Sequence, residues 1–214
     1  SRGLGDVYKR QVLYNDLYDI LDGVAVACDG AVKSVFLAHK KPLDEIDVIH
    51  CDAASLSSVN LLKVILKDYG LSPRLEPFDN YSQAEEQNAV LLIGNPGIEF
   101  LKRHHEHQIL DLGQAWKDLT GLPFVFAVWA IRRDQSHSEL RQMLMKAKEE
   151  GTGKLTDIIK NHSDFDFELR DLYFRKHIRF ELAKPEKKGV LEFVRRLREV
   201  VGVPIFNPNY VPAN

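Results

Sequence analysis

Between Gly23 and Ile131 the chain alternates short apolar runs with segments of helical period, and this alternation restricts the possible fold more than any other feature. Apolar runs bounded by turn residues are buried strands, whereas apolar residues recurring every three or four positions mark one face of a helix. Gly23 to Cys28 is the first run, ended by the turn Asp29-Gly30. Val32 to His39 follows as a strand, Pro42 to Ile46 as a short helical connector, and Asp47 to Cys51 as a further strand. Ser55 to Tyr69 is the best-defined helix of the first half. Leu56, Val59, Leu62, Leu66 and Tyr69 share its apolar stripe, and Gly70 is placed to end it.

The same reading gives a strand near Arg74 to Pro77, a short helix near Ser82 to Gln87 and a buried strand at Ala89 to Ile93. Gly94-Asn95-Pro96 then turns into a helix through Arg103. Ile109 to Leu112 is a short strand, Gln114 to Leu119 a helix, and Phe124 to Ile131 a long apolar strand. Strands separated by helices imply an α/β fold with mixed, mainly parallel sheets. After Arg133 the chain is mainly helical. Its last helix sets Val190, Phe193, Val194, Leu197, Val200 and Val201 against a solvated face of Glu192, Arg195, Arg196, Arg198 and Glu199. The Pro/Asn-rich tail after Phe206 reads as irregular. No internal repeat or low-complexity linker interrupts the pattern.

With 214 residues, 44% of them hydrophobic and 28% charged, the composition is that of an ordinary globular chain. A formal charge of −2 provides no broad basic field, so nucleic acid is not an expected partner. No apolar stretch reaches the roughly 20 residues needed to span a bilayer, so no membrane association is expected. Cys28 and Cys51 follow apolar residues without CxxC spacing and read as reduced core thiols, which suits a cytoplasmic protein. The opening SRGLGDVYKRQ reads as the translation of a sequencing-library adapter, so Ser1 to Gln11 is set aside and the natural start is taken to be lost.

Several apparent motifs fail. Gly151-Thr152-Gly153-Lys154 lacks the Gly and the Ser or Thr that a phosphate loop needs at positions 148 and 155, occupied by Lys148 and Leu155. His104, His105 and His107 fit no zinc framework and read as exposed imidazoles at a helix end. Asp164, Asp166 and Glu168 lack the Gly and distal Glu of a calcium loop and read as caps for the following helix. No metal or organic cofactor site is evident.

Three ordered blocks carry a resemblance: CDGAVKSV (Cys28 to Val35), DAASLSSVNLLKVIL (Asp52 to Leu66), and LLIGNP (Leu91 to Pro96) followed by DLGQAWKDLTGLPFVFAVWA (Asp111 to Ala130). Together they resemble the chorismate dehydratases of the futalosine route to menaquinone. A sister enzyme, 1,4-dihydroxy-6-naphthoate synthase, shares DLG…W…LTGLP, but the apolar continuation from Phe124 favours the dehydratases. The resemblance implies a type II periplasmic-binding-protein fold with two α/β lobes. Residues 12–43 and 130–214 would form one lobe and 44–129 the other, with Val32 to His39 and Phe124 to Ile131 as hinge strands. The family's opening strand, with its S-Y-L-N-like segment, has no counterpart here.

The implied ligand is the small dicarboxylate chorismate. Ser34 is the first candidate contact, because the family places a ligand-binding serine in that motif; a satisfied core hydroxyl is the other reading. Ser55, Ser57 and Ser58 open a helix, where hydroxyls and free N–H groups favour an anion, although plain N-capping also explains them. Gly94 and Asn95 end a buried strand, where open sheets bind ligands, or they serve only the turn. Leu122, Pro123 and Phe124 are expected as an apolar wall against the ring. No side chain in these blocks stands out as a catalytic base, which leaves the substrate's own carboxylate as the candidate. Oligomeric state is not legible.

Overall fold

The structure is a computed structural model, and it describes residues 9–52, 55–134 and 138–212. Residues 1–8 of the adapter-like opening lie outside that set, and Lys9–Tyr14 forms helix α1. The strands in chain order are β1 (Tyr18–Cys28), β2 (Val35–His39), β3 (Val48–Asp52), β4 (Arg74–Phe78), β5 (Ala89–Ile93), β6 (Gln108–Asp111), β7 (Phe124–Arg132) and β8 (Tyr210–Val211). They form one five-stranded sheet of order β4-β3-β5-β2-β6 and one three-stranded sheet of order β7-β1-β8.

The strand positions follow the sequence expectations closely, but the pairing does not. Parallel pairs β3–β4, β3–β5 and β1–β8 are matched by antiparallel pairs β1–β7, β2–β5 and β2–β6, so the sheets are mixed without being mainly parallel. The connector from His39 to Val48 holds only a single 3-10 turn at Leu43–Glu45. A parallel crossover needs a dozen or more residues, so β2 must run against β3. β2, expected as a hinge strand, therefore lies inside the five-stranded sheet between β5 and β6.

Two further differences have local causes. Gly23 does not start β1. It sits within the strand at φ 82°, where the pairing with β7 shifts register between Ile20 and Ala25. Only glycine adopts that backbone without penalty, and it makes a bulge in a longer strand. The tail is not wholly irregular either: Tyr210 and Val211 pair with Ile20 and Leu21.

Side-chain alternation gives the five-stranded sheet two buried faces. Phe36, Ala38, Val90 and Leu92 pack on Phe100 of helix α3 (Asn95–Lys102) and on Ala84. Leu37, Ile49, Cys51 and Leu91 face helices α2 (Leu56–Asp68) and α4 (Leu112–Thr120). That second core continues through Trp116, Phe124 and Phe193 to β7 and the C-terminal helix, so one apolar mass joins the two sheets. Both thiols lie in it, and burial pushes Cys51 up to about 12.

Helices α5 (Ser138–Gly153), α6 (Leu155–Asn161) and α7 (Phe167–Leu172) lead to a turn of π-helix at Tyr173–His177 and then to α8 (Lys184–Leu197). Gly151 to Gly153 close α5 and form no phosphate loop. Asp166 caps α7 by accepting the Leu169 N–H at 2.8 Å, as its position before that helix suggests. The histidine cluster is only partly as expected. His107 is buried, meets the Phe100 ring edge-on and donates Nε2–H to the Gln87 carbonyl at 2.8 Å, because Phe100 supplies an apolar seat that the sequence spacing does not reveal. Among the described residues no helix is long and apolar enough to cross a membrane.

Candidate active site

Strand direction brings most of the candidate residues to one edge of the five-stranded sheet. β3, β4, β5 and β6 all end there, and β2 begins there: Val35 pairs with Ile93, and Phe36 with Asp111. Ser34, the start of α2 at Ser55, and Gly94-Asn95 therefore share this carboxyl edge. The neighbouring strands β3 and β5 are followed by helices on opposite faces, α2 on one and α3 on the other. Such a divergence marks the place where open α/β sheets bind small molecules.

Ser34 is held at this edge by an unusually constrained loop. Asp111 accepts the N–H groups of Val32 (3.1 Å) and Lys33 (2.8 Å) and also caps α4 through Gln114 N–H at 3.0 Å. Those bonds accommodate Lys33 at φ 64°, a left-handed backbone that costs a non-glycine residue of order 1 kcal/mol. Buried His177 donates Nδ1–H to the Ala31 carbonyl at 2.7 Å. Lys117 and Arg179 bind the Asp29 carboxylate at 2.6 and 2.8 Å and hold it below the usual carboxylate range, the Lys117 bond most of all. Gly113 completes the clamp: a Cβ there would lie 2.5 Å from the Gly30 carbonyl oxygen and 2.7 Å from Cys28 Sγ. The D-L-G triplet thus fixes the Ser34 loop from the neighbouring strand.

Ser34 is 3% exposed, its Oγ 2.8 Å from the Tyr173 hydroxyl. Its carbonyl accepts the Gly94 N–H at 2.6 Å, which ties the β2 entrance to the start of α3. Burial raises the Tyr173 phenol, so it stays protonated at neutral pH and is available as a donor. Tyr173 starts the π-helical turn, a local widening that often marks functional positions.

Beside this group lies a cavity of about 220 Å³ whose lining includes Asn95, His162, Phe165, Arg170 and Tyr173. His162 Nδ1 accepts the Asp164 N–H at 3.2 Å, which leaves Nε2 as the ring's donor position. Phe165 sits at φ 62°, with Lys102 Nζ 4.8 Å from its ring centre. A second cavity of about 450 Å³, apolar and lined by Val24, Val26, Trp129, Leu155 and Phe174 among others, lies against β1 and β7 beneath α5 and α6. Phe174 borders both cavities.

The remaining candidates divide. Ser55 is the N-cap of α2, its Oγ 3.4 Å from Ser58 N and 3.0 Å from Ser58 Oγ, while Ser57 and Ser58 are buried. The capping reading is thus realised at Ser55, at the same edge as Ser34. Leu122, Pro123 and Phe124 are not brought to the crevice. Phe124 is 1% exposed and packs edge-on against Trp116 and Phe193. The Pro123 carbonyl accepts Trp116 Nε1–H at 3.1 Å and abuts Gly189 of α8. L-T-G-L-P is a folding element: Thr120 Oγ1 bonds the Trp116 carbonyl, and Gly121 at φ 68° ends α4. Among the described residues no cluster of three or more His, Cys, Asp or Glu could hold a metal.

The chain thus has a mixed α/β fold, with Ser34, Ser55 and Asn95 at the carboxyl edge of its five-stranded sheet. Solved structures agree at the level of fold. A structural-genomics protein from Archaeoglobus fulgidus matches with TM-score 0.63 and 21% identity over 86% of this chain and 73% of that one. An ABC transporter protein from Parabacteroides distasonis matches with TM-score 0.53 and 15% identity over 86% and 68%. The profile of the menaquinone biosynthesis family matches residues 11–199. A chorismate dehydratase from Thermus thermophilus is 31% identical over 93% of this chain and 79% of its own length. The chain belongs to the menaquinone biosynthesis family.

Proposed function

We propose that this protein is a carbon–oxygen lyase that dehydrates chorismate to 3-[(1-carboxyvinyl)oxy]benzoate in menaquinone biosynthesis, acting in the cytoplasm. The observation that carries the reading is the clamped Ser34 at the carboxyl edge, beside a cavity with polar and aromatic lining, in a chain related over 93% of its length to a chorismate dehydratase. On this reading the two sheets are the cores of two lobes, and the ligand lies between the edge of one and the π-helical turn.

Chorismate has two carboxylates and a ring hydroxyl. Loss of that hydroxyl with a ring hydrogen releases water and leaves an aromatic ring, so the enzyme must orient the ring, stabilise a departing hydroxide and allow one C–H proton to leave. Ser34, Tyr173 and the Nε2–H of His162 are donors to oxygen, suited to the hydroxyl and a carboxylate. On this reading the substrate's own side-chain carboxylate is the proton acceptor. Ser55, Gly94 and Asn95 complete the anion-binding side of this edge through helix N-termini and polar groups, while Ser57 and Ser58 stay buried behind it.

The test is to incubate protein from the complete gene with chorismate and follow the aromatic product by absorbance and NMR. Accumulation of 3-[(1-carboxyvinyl)oxy]benzoate with loss of chorismate is the expected result. Chorismate left unchanged overturns the proposal, whether another solute binds tightly instead, as for a non-catalytic binding protein, or the naphthoate synthase reaction is found.

A further inference from the structure

Arg170 is a buried cation whose charge is not neutralised. It is 9% exposed, and among the described residues no carboxylate lies within ion-pair distance of it. One guanidinium nitrogen is satisfied by the carbonyls of His162, Asp164 and Phe165, the last at 3.1 Å. Nε is buried and has no partner among the described residues. Carbonyl dipoles fix the fork in place without supplying a counter-charge, and a desolvated guanidinium without an anion is costly. The residue nevertheless lines the 220 Å³ cavity.

The surroundings specify what would complete it. Asn95, at the start of the eight-residue helix α3, contributes a polar side chain and the positive end of a helix. Phe165, Tyr173 and Phe174 supply ring faces and edges, and Ile98 an apolar floor. Asp164 also borders the cavity, but its side chain is 56% exposed and turns toward His162, with 3.9 Å between Asp164 Oδ2 and His162 Nδ1. The turn that holds the guanidinium keeps Phe165 in a left-handed backbone, a strain that persists where surrounding structure requires it. At about 220 Å³ the cavity is smaller than the roughly 300 Å³ at which drug-sized pockets begin, so it suits one ring with one acid group.

We propose that Arg170 is the anchor for a carboxylate borne on a six-membered ring, seated against Phe165 and Tyr173 with Asn95 at its other side. This deepens the reading above and rests on it: the ring carboxylate of chorismate and of its product is the group assigned to Arg170, which leaves the enolpyruvyl carboxylate free to take the proton.

The test uses benzoate and its uncharged isostere benzamide, titrated calorimetrically into wild-type protein and into Arg170→Met and Asn95→Asp variants. Wild type should prefer benzoate by at least tenfold, and Arg170→Met should abolish that preference while benzamide binds as before. A purely structural role for Arg170, holding the turn, would weaken both probes alike and overturn the assignment. So would equal affinity of wild type for the two. If Arg170→Met does not fold, Asn95→Asp decides, because a new negative charge lining the same cavity must weaken benzoate and spare benzamide; unchanged benzoate binding refutes the site. Chorismate turnover is measured separately, so charge-selective benzoate binding without turnover would retain Arg170 as an anion site and reject the dehydratase reading.

Discussion

Replacing Asp111 with alanine removes three hydrogen bonds at once. The carboxylate caps α4 through Gln114 N–H and holds the amides of Val32 and Lys33. Loss of an N-cap costs typically about 1 kcal/mol. The Val32 residue is fully buried, so its stranded amide adds a desolvation cost of roughly 1–3 kcal/mol, whereas the Lys33 amide is exposed and regains water. The sum is about 2–4 kcal/mol, which for a chain of this size lowers the melting temperature by roughly 5–15 °C. The functional loss should exceed what stability explains. With its clamp gone, Lys33 can leave the left-handed region and carry Ser34 away from Tyr173, and a shift of about 1 Å in a positioning group can cost on the order of 100-fold in rate. Asp111→Asn retains an acceptor and should fall between alanine and wild type. Thermal melts give the first quantity, and chorismate turnover well below the melting point gives the second. An alanine variant that melts within about 2 °C of wild type and turns over at an unchanged rate would refute the clamp.

Other substitutions probe different parts of the account. Gly189→Ala places a Cβ 2.1 Å from the Pro123 carbonyl oxygen and should destabilise by about 1–3 kcal/mol or more, read as a lower melting temperature. Gly151→Ala in α5 meets nothing within 4 Å and should stabilise by roughly 0.5–1 kcal/mol in the same assay. His107 has its pKa lowered in the folded protein, chiefly by burial, so its contribution is fully present above the unfolded value near ~6.5 and is lost as pH falls through the folded value. Denaturant titrations across that range should show a steeper acid loss for wild type than for His107→Gln; parallel curves would contradict the buried neutral imidazole.

Much of the fold is legible because its elements are local. The stripe of Leu62 and Leu66, the cap at Ser55, and the runs AVLLI and FVFAVWA each carry their own period, and the structure places helices and strands there within a few residues. What escapes the sequence is pairing. Nothing local in Val35–His39 states that it runs against β5, and only the short connector after it forces the reversal. Gly23 reads as a boundary because a bulge and a strand start look alike in one dimension.

The site divides in the same way. Ser34 stands out through the family resemblance and Asn95 through its strand end, and the structure places both at one edge. Tyr173, 139 residues from Ser34, and Arg170 have no pattern that announces them. Asp111 was visible in the D-L-G triplet, but its role depends on a loop 78 residues away. Leu122-Pro123-Phe124 misleads for the opposite reason: an apolar signature block serves the core as readily as a ligand, and only Gly189 and Trp116 show which.

The most direct measurement is a crystal structure of the complete protein with 3-[(1-carboxyvinyl)oxy]benzoate bound. The account predicts the product's ring beside Phe165 and Tyr173, with an oxygen atom within hydrogen-bond reach of Ser34 or Asn95. Product seated in the apolar cavity beneath α5, with Ser34 and Tyr173 bonded only to each other, would contradict it.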